Sequence, residues 1–304
     1  PFVAAAAPEM MGLSSFTDLD KPRDLAKIFE GPDYNQWRSF RESEDSRYVA
    51  LTLPHYLGRL PYGERGTKVD EFNYEENVDG KDHSKYLWCN AAFQYSLRMT
   101  DSFAKYGWCT AIRGEEGGGK VEGLPTHVFK TDSGELAQKI PTEVRIDDRR
   151  EKELSDLGFI ALVNSKGRDY ASFFSGQTTN KPKRYMDNDA NANSDLSAKL
   201  PYLMATSRIA HYLKSILRDK VGSFTSRTQI AEYLDRWISN YVLLDDNASQ
   251  EQKAKRPLRE ARIEVEEVPG QPGVYQARAW LRPHYQLEAI NVSLRLVAKL
   301  PAAK

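Results

Sequence analysis

Across the C-terminal third of the chain the hydrophobic period changes from helical to strand-like, and that change limits the folds open to it. After Pro201, residues Ile209, Tyr212, Leu213, Ile216 and Leu217 fall on one face of a helix that Gly222 closes. A second helix opens near Ser226 and stacks Ile230, Leu234, Trp237, Ile238, Tyr241 and Val242. The period then shortens. Ile263 and Val265 alternate with Arg262, Glu264 and Glu266, and Tyr275, Ala277, Ala279 and Leu281 alternate with Gln276, Arg278, Trp280 and Arg282. The run Pro-Gly-Gln-Pro-Gly at 269–273 supplies a turn between them, and Ile290, Val292, Leu294 and Leu296 alternate again. The pattern predicts an α-α-β-β-β unit. Two helices cannot cover both faces and both edges of three long strands, so an edge stays open unless another chain adds a strand. The residues expected at such a strand-exchange interface are Ile263, Val265, Ala277, Ala279, Leu281, Val292 and Leu294. On the first helix Arg208, His211, Lys214 and Arg218 form a basic stripe at helical spacing, suited to an acidic partner surface or to water.

The preceding residues read as a strand-rich α+β region. Pro22–Phe29 has the pattern of a short helix with Pro at its first position, followed by Gly31. "SRYVALTLP" alternates like a strand, 61–85 reads as a long polar loop, and 87–107 has helical periodicity stopped by Gly107. "WCTAIR", "THVFKT", "TEVRID", "GFIALV" and "YASFFS" read as strands. Residues 175–199 are poor in large apolar residues and rich in Asn, Asp and Ser, which predicts a domain boundary or an exposed connection. The expected division is a middle domain over 1–190 and an inner domain over 191–304.

Lys plus Arg equals Asp plus Glu at 43 each, so no basic excess points to nucleic acid. No apolar run reaches the length of a membrane span, so no membrane insertion is expected. The two cysteines, Cys89 and Cys109, have no metal spacing and suit a reducing compartment. Histidines 55, 83, 127, 211 and 284 lack ligand spacing. Asp147-Asp148 reads as a charged turn, and no Ser lies in a G-x-S-x-G elbow. The opening "PFVAAAAPEMMG" reads as the middle of a longer chain.

One stretch raises an enzymatic alternative. "RGEEGGGKVEG" carries Gly114, Gly119 and Lys120 at the spacing of a phosphate-binding loop, which would make the chain a nucleotide-binding enzyme. Three features oppose it. Val121 stands where a hydroxyl would ligate magnesium, Gly123 and Pro125 disfavour the helix that should follow, and Glu115 and Glu116 would repel a phosphate. The expected cofactor, metal and catalytic sets are therefore empty.

"GRLPYG" (58–63), "GWCTAIRGEEGGGKVEGLPTHVFKTDSGE" (107–135), "PTEVRIDDRREKELSDLGFIAL" (141–162), "KLPYLMATSRIAHYLKSILRDKVGSF" (199–224) and "LRPHYQLEAINVSLRLVAKLP" (281–301) resemble, in collinear order, the large subunit of the type VI secretion contractile sheath, the TssC/VipB family. The resemblance covers essentially the whole chain and places it after that family's N-terminal third. It implies a structural subunit, not an enzyme, in the bacterial cytosol, docked to the envelope through a baseplate. It also implies these partners: a small sheath subunit (TssB/VipA-like), other copies of the chain, an inner tube protein (Hcp-like), and a recycling AAA+ unfoldase acting through the missing N-terminal region. The C-terminal unit then resembles the inner domain of phage tail sheath proteins, with Arg208, His211, Lys214 and Arg218 facing the tube.

Overall fold

Phe159-Ile160-Ala161-Leu162-Val163 is apolar without alternation, the pattern of a strand covered on both faces. In the computed structural model every residue of Phe159–Asn164 is buried. The structure describes all residues except 64–65, 165–166, 220–226, 246, 268, 270–274, 285–293 and 300–304, and Asp189, Tyr275 and 294–299 by backbone alone. The expected helix ends at Gly222 and Ser226, most of the 269–273 turn, and Ile290 and Val292 lie outside the described residues. Two compact units form, residues 1–101 with 112–181, and residues 102–111 with 182–304.

The strands of the first unit are β1 (Phe2–Ala5), β2 (Val49–Leu53), β3 (Tyr56–Leu57), β4 (Trp88–Cys89), β5 (Lys120–Val121), β6 (Val128–Lys130), β7 (Leu136–Gln138), β8 (Phe159–Asn164) and β9 (Ala171–Phe173). Its helices are α1 (Leu25–Phe29), α2 (Asn35–Glu42), the first part of α3 (Ala91–Tyr106), whose end from Ser102 lies with the second unit, and α4 (Asp148–Asp156). The main sheet runs β1-β2-β8-β9-β5. β1, β2 and β8 are parallel, whereas β9 is antiparallel to β8 and to β5. One core packs Met11, Phe16, Leu25, Phe29, Leu53 and Leu154 against Phe159, Ala161 and Val163. The Phe159 ring lies 5.9 Å from Phe29 and 6.0 Å from Trp37. Losing a ring so placed costs about 3–5 kcal/mol.

Several expectations are corrected here. Helix α1 starts after Asp24, whose carboxylate accepts the Lys27 N–H at 3.0 Å, so Pro22 precedes the cap. "WCTAIR" is no strand, because Trp108 and Ala111 are buried in the second unit whereas Ile112 belongs to the first. "TEVRID" is likewise irregular. Val144 and Ile146 enter the core without a ladder, and Asp147 caps α4 by accepting the Arg150 N–H at 2.7 Å. The stretch from 175 is not simply exposed. Thr178, Thr179 and Asn180 are buried, Arg41 donates to the Thr179 carbonyl at 2.8 Å, and Asn180 donates to Ser46 Oγ at 2.8 Å. Polar composition there marks a satisfied buried network, as buried polar groups require.

The second unit holds α5 (Asn188–Ser197), α6 (Leu200–Asp219), α7 (Arg227–Ser239), α8 (Gln250–Lys255), β10 (Leu258–Glu267), β11 (Tyr275–Pro283) and β12 (Leu294–Lys299). α6 and α7 are the two expected helices, with the short α5 and α8 added. β10, β11 and β12 form an antiparallel sheet in sequence order. Ile209, Leu213 and Leu217 of α6 pack with Ile230, Leu234 and Ile238 of α7, Trp108, and the inward residues of the sheet.

Candidate assembly interface

Ile263 and Val265 of β10 and Ala277, Ala279 and Leu281 of β11 are buried against the helices, on the face that alternation assigned to them. Leu294 pairs with Leu281 by backbone, and Val292 lies outside the described residues. The opposite face is a charge ladder. Arg278 pairs with Glu266 at 2.9 Å, Arg262 with Glu264 at 2.8 Å, and Arg282 with Glu260 at 3.4 Å.

β11 is the central strand, so its backbone has neighbours on both sides. The edges are β10 and β12. Much of the β10 edge is occupied: Leu258 exchanges hydrogen bonds with Tyr241 and Leu243, and the Ile263 N–H donates to Asp235 at 3.1 Å. Because the Ile263 N–H turns away from β11, its partner Ala279 turns its own N–H towards β12, and the Ala277 N–H follows two residues away. Neither alanine offers an outward donor. The same alternation points the N–H groups of Arg295 and Val297 out from β12.

The basic stripe separates into two parts. The Arg208 guanidinium lies 4.6 Å from the centre of Trp108, donates to the Tyr212 hydroxyl at 2.8 Å, and bonds the Gly107 carbonyl. It is a packing residue of the second unit. His211, Lys214 and Arg218 remain exposed, with Arg218 3.7 Å from Asp219.

The Gly-rich loop turns its donors inward. The Gly114 N–H donates to the Phe173 carbonyl at 2.7 Å, and the Phe173 N–H donates to Gly119 at 2.9 Å. A Cβ on Gly119 would stand 2.4 Å from the Phe173 oxygen, so close approach to β9 explains that glycine. Lys120 pairs with Glu122 and lies 4.3 Å from the Tyr170 ring centre. Its pKa rises through the hydrogen bond to Glu122. The loop is a β9-docked turn followed by strand β5, not a helix.

The histidine reading missed two clusters. His55 lies 2.6 Å from Glu143, which also accepts from Ser15. Burial pushes the Glu143 carboxyl up, but the bonds from His55 and Ser15 outweigh it and hold it below the usual range. In the second cluster Lys139 Nζ is 2.7 Å from His83 Nε2, and the Tyr86 hydroxyl is 2.7 Å from His127 Nδ1. Burial lowers the pKa of both imidazoles and raises Tyr86 to about 12. No group of three or more His, Cys, Asp or Glu among the described residues is placed to hold a metal. Nor is any helix there long and apolar enough to cross a membrane.

Two family models match the chain, "EvpB/VC_A0108, tail sheath N-terminal domain" over residues 1–180 and "EvpB/VC_A0108, tail sheath gpW/gp25-like domain" over 189–300. The chain belongs to the type VI secretion tail sheath family. It is 53% identical to the type VI secretion system sheath protein TssC1 of Pseudomonas aeruginosa, covering 100% of this chain and 61% of that protein. The chain thus spans about 61% of the length of that sheath relative. The crystal structure of a sheath tail protein from Desulfitobacterium hafniense aligns with 84% of this chain and 46% of its own at 12% identity and a TM-score of 0.41, too distant to carry an argument.

Proposed function

We propose that this chain is the main structural part of a large sheath subunit without a catalytic site. It pairs with a small sheath subunit, polymerises helically around an inner tube in the cytosol, and contracts to drive tube and spike outward. The observation that carries this reading, beside family membership, is a three-stranded sheet filled by helices on one face, with β12 at its edge and unpaired on its outer side among the described residues. A strand from another subunit satisfies that edge by backbone bonding, whatever its side chains. Links of this kind let subunits rotate without separating, and contraction is then a shift between two packings of the same interface. The exposed His211, Lys214 and Arg218 are the tube-facing candidates of the basic stripe. Exposed pairs contribute only about 0–1 kcal/mol each, and repetition along a polymer multiplies them. A baseplate and a recycling unfoldase complete the proposed partners. The test is co-expression with the small sheath subunit, followed by sedimentation and electron microscopy. Tubular or cogwheel-like particles are expected. A compact monomer that hydrolyses ATP would overturn the reading.

A further inference from the structure

The first unit carries a cleft of about 930 Å³ between residues 19–24 and the start of α4. Two of its cations are already engaged. Lys21 pairs with Asp18 at 2.6 Å, and Arg150 pairs with Glu153 at 2.6 Å. Three of its carboxylates are engaged too. Asp24 and Asp147 cap α1 and α4, and Glu153 also accepts the Leu25 N–H at 2.8 Å. What remains is Arg23, Arg145 and Arg149 against the single carboxylate of Asp20. Their side chains are exposed and have no hydrogen bond or ion pair among the described residues, although the Arg23 carbonyl accepts from Arg150 at 2.9 Å. The cleft therefore presents an excess of planar cations, which suits carboxylates held side by side.

A matching surface lies elsewhere on the same unit. Residues 68–75 are exposed throughout and present Asp70, Glu71 and Glu75, also without a hydrogen bond or ion pair among the described residues. Between them Phe72 and Tyr74 are 51% and 53% exposed. The arm is nonetheless anchored. Phe72 lies against Tyr62 and Tyr74 at 5.4 and 5.5 Å, and Arg59 grips Glu76 through two bonds of 2.7 and 2.8 Å. An anchored arm loses less entropy on docking than a free one.

We infer that the arm 68–75 of one copy docks its carboxylates into the Arg23–Arg145–Arg149 cleft of a second copy. Arm and cleft share no residue, so the contact is head-to-tail. Such contacts build open helical polymers unless their rotation closes a ring. The inference rests on the sheath reading only for that consequence, and docking is measured without a sheath.

The probe is a fluorescein-labelled peptide of residues 58–80, which keeps the anchors Arg59 and Tyr62, titrated with the whole chain and followed by anisotropy at low salt. Saturable binding is expected, weakened about tenfold or more by Arg145→Glu with Arg149→Glu, and equally by Asp70→Asn, Glu71→Gln and Glu75→Gln in the peptide. Circular dichroism checks that the chain variant stays folded. No binding, binding indifferent to these changes, or equal binding of polyglutamate of the same charge would each overturn the inference. Loss of sheaths with peptide binding intact would count against the sheath reading alone.

Discussion

Lys139 enters the fold with an ammonium that burial disfavours, and its pKa falls to about 8 despite Glu143. In the unfolded chain a lysine titrates near about 10.4. Between those values the unfolded state holds the proton and the folded state does not. Stability from this group therefore rises with pH across the window and is lost as pH falls from about 10.4 to about 8. Its titrating neighbours lie outside that window, with Tyr86 raised to about 12 by burial and His83 and Glu143 held below their usual ranges. Urea unfolding of wild type and Lys139→Met at pH 7 and pH 10.5 should show the difference swing about 1–3 kcal/mol in favour of wild type as pH rises. A flat difference would mean that the ammonium is solvated. Single residues of this kind were poorly legible in the sequence. Helical spacing grouped Arg208 with His211, Lys214 and Arg218, but its rings, Phe103 and Trp108, come from a distant part of the chain. His83 and Lys139 are likewise brought together only by tertiary packing.

Elements were legible where burial follows one period. α6 and α7 bury one stripe each, and β10 and β11 bury one face each, so pattern and fold agree. "TEVRID" alternates too, but it meets β3 only through a single bridge from Thr142 to Tyr56 and no ladder extends from it, and pattern cannot report that. Strand order was also invisible, although it decides which substitutions probe an open edge. Proline at Ala277 or Ala279 removes a bond that holds β11 to β12 and so damages the chain's own sheet. Proline at Val297 removes an outward donor instead, and strand edges tolerate it. Val297→Pro should abolish sedimenting sheaths while leaving the unfolding free energy within about 1 kcal/mol of wild type. Leu296→Pro, one residue away, should lower it by about 3 kcal/mol, because its N–H faces β11. The pair separates loss of a link between subunits from loss of a fold. Sheaths of normal yield from Val297→Pro would show that β12 is not the link.

For the whole molecule, the linear division hides one exchange. The family models part between 180 and 189, and the compact units part at 181/182, yet residues 102–111 lie with the second unit. Gly107, at φ +75°, ends α3 in the left-handed conformation and redirects the chain. Ser102 then fixes the return, donating to the Trp108 carbonyl at 2.7 Å and accepting the Ala111 N–H at 3.3 Å. Trp108, 5% exposed, joins the core of Ile209, Leu213 and Leu234, with Tyr241 at 5.4 Å against its edge. "WCTAIR" looked like a strand because a residue committed to a remote core has the same apolar signature as one in a ladder. The sequence-based boundary could not assign this insert, since nothing in a local window records which core a tryptophan joins. The consequence is testable. A fragment starting at Pro182 lacks Trp108 and should be less stable than the same region in the whole chain. In the whole chain, Trp108→Ala should destabilise the second unit by about 3–5 kcal/mol through the cavity it leaves. Hydrogen exchange locates the loss: amides of α6, α7, β10 and β11 should exchange faster, while those of β2 and β8 keep their protection. Phe93→Ala, at a ring 69% exposed, is the control and should change stability by no more than about 0.5 kcal/mol. Uniform loss of protection across both units would show that they unfold together, and unchanged protection in α6 and α7 would remove Trp108 from the core that they share.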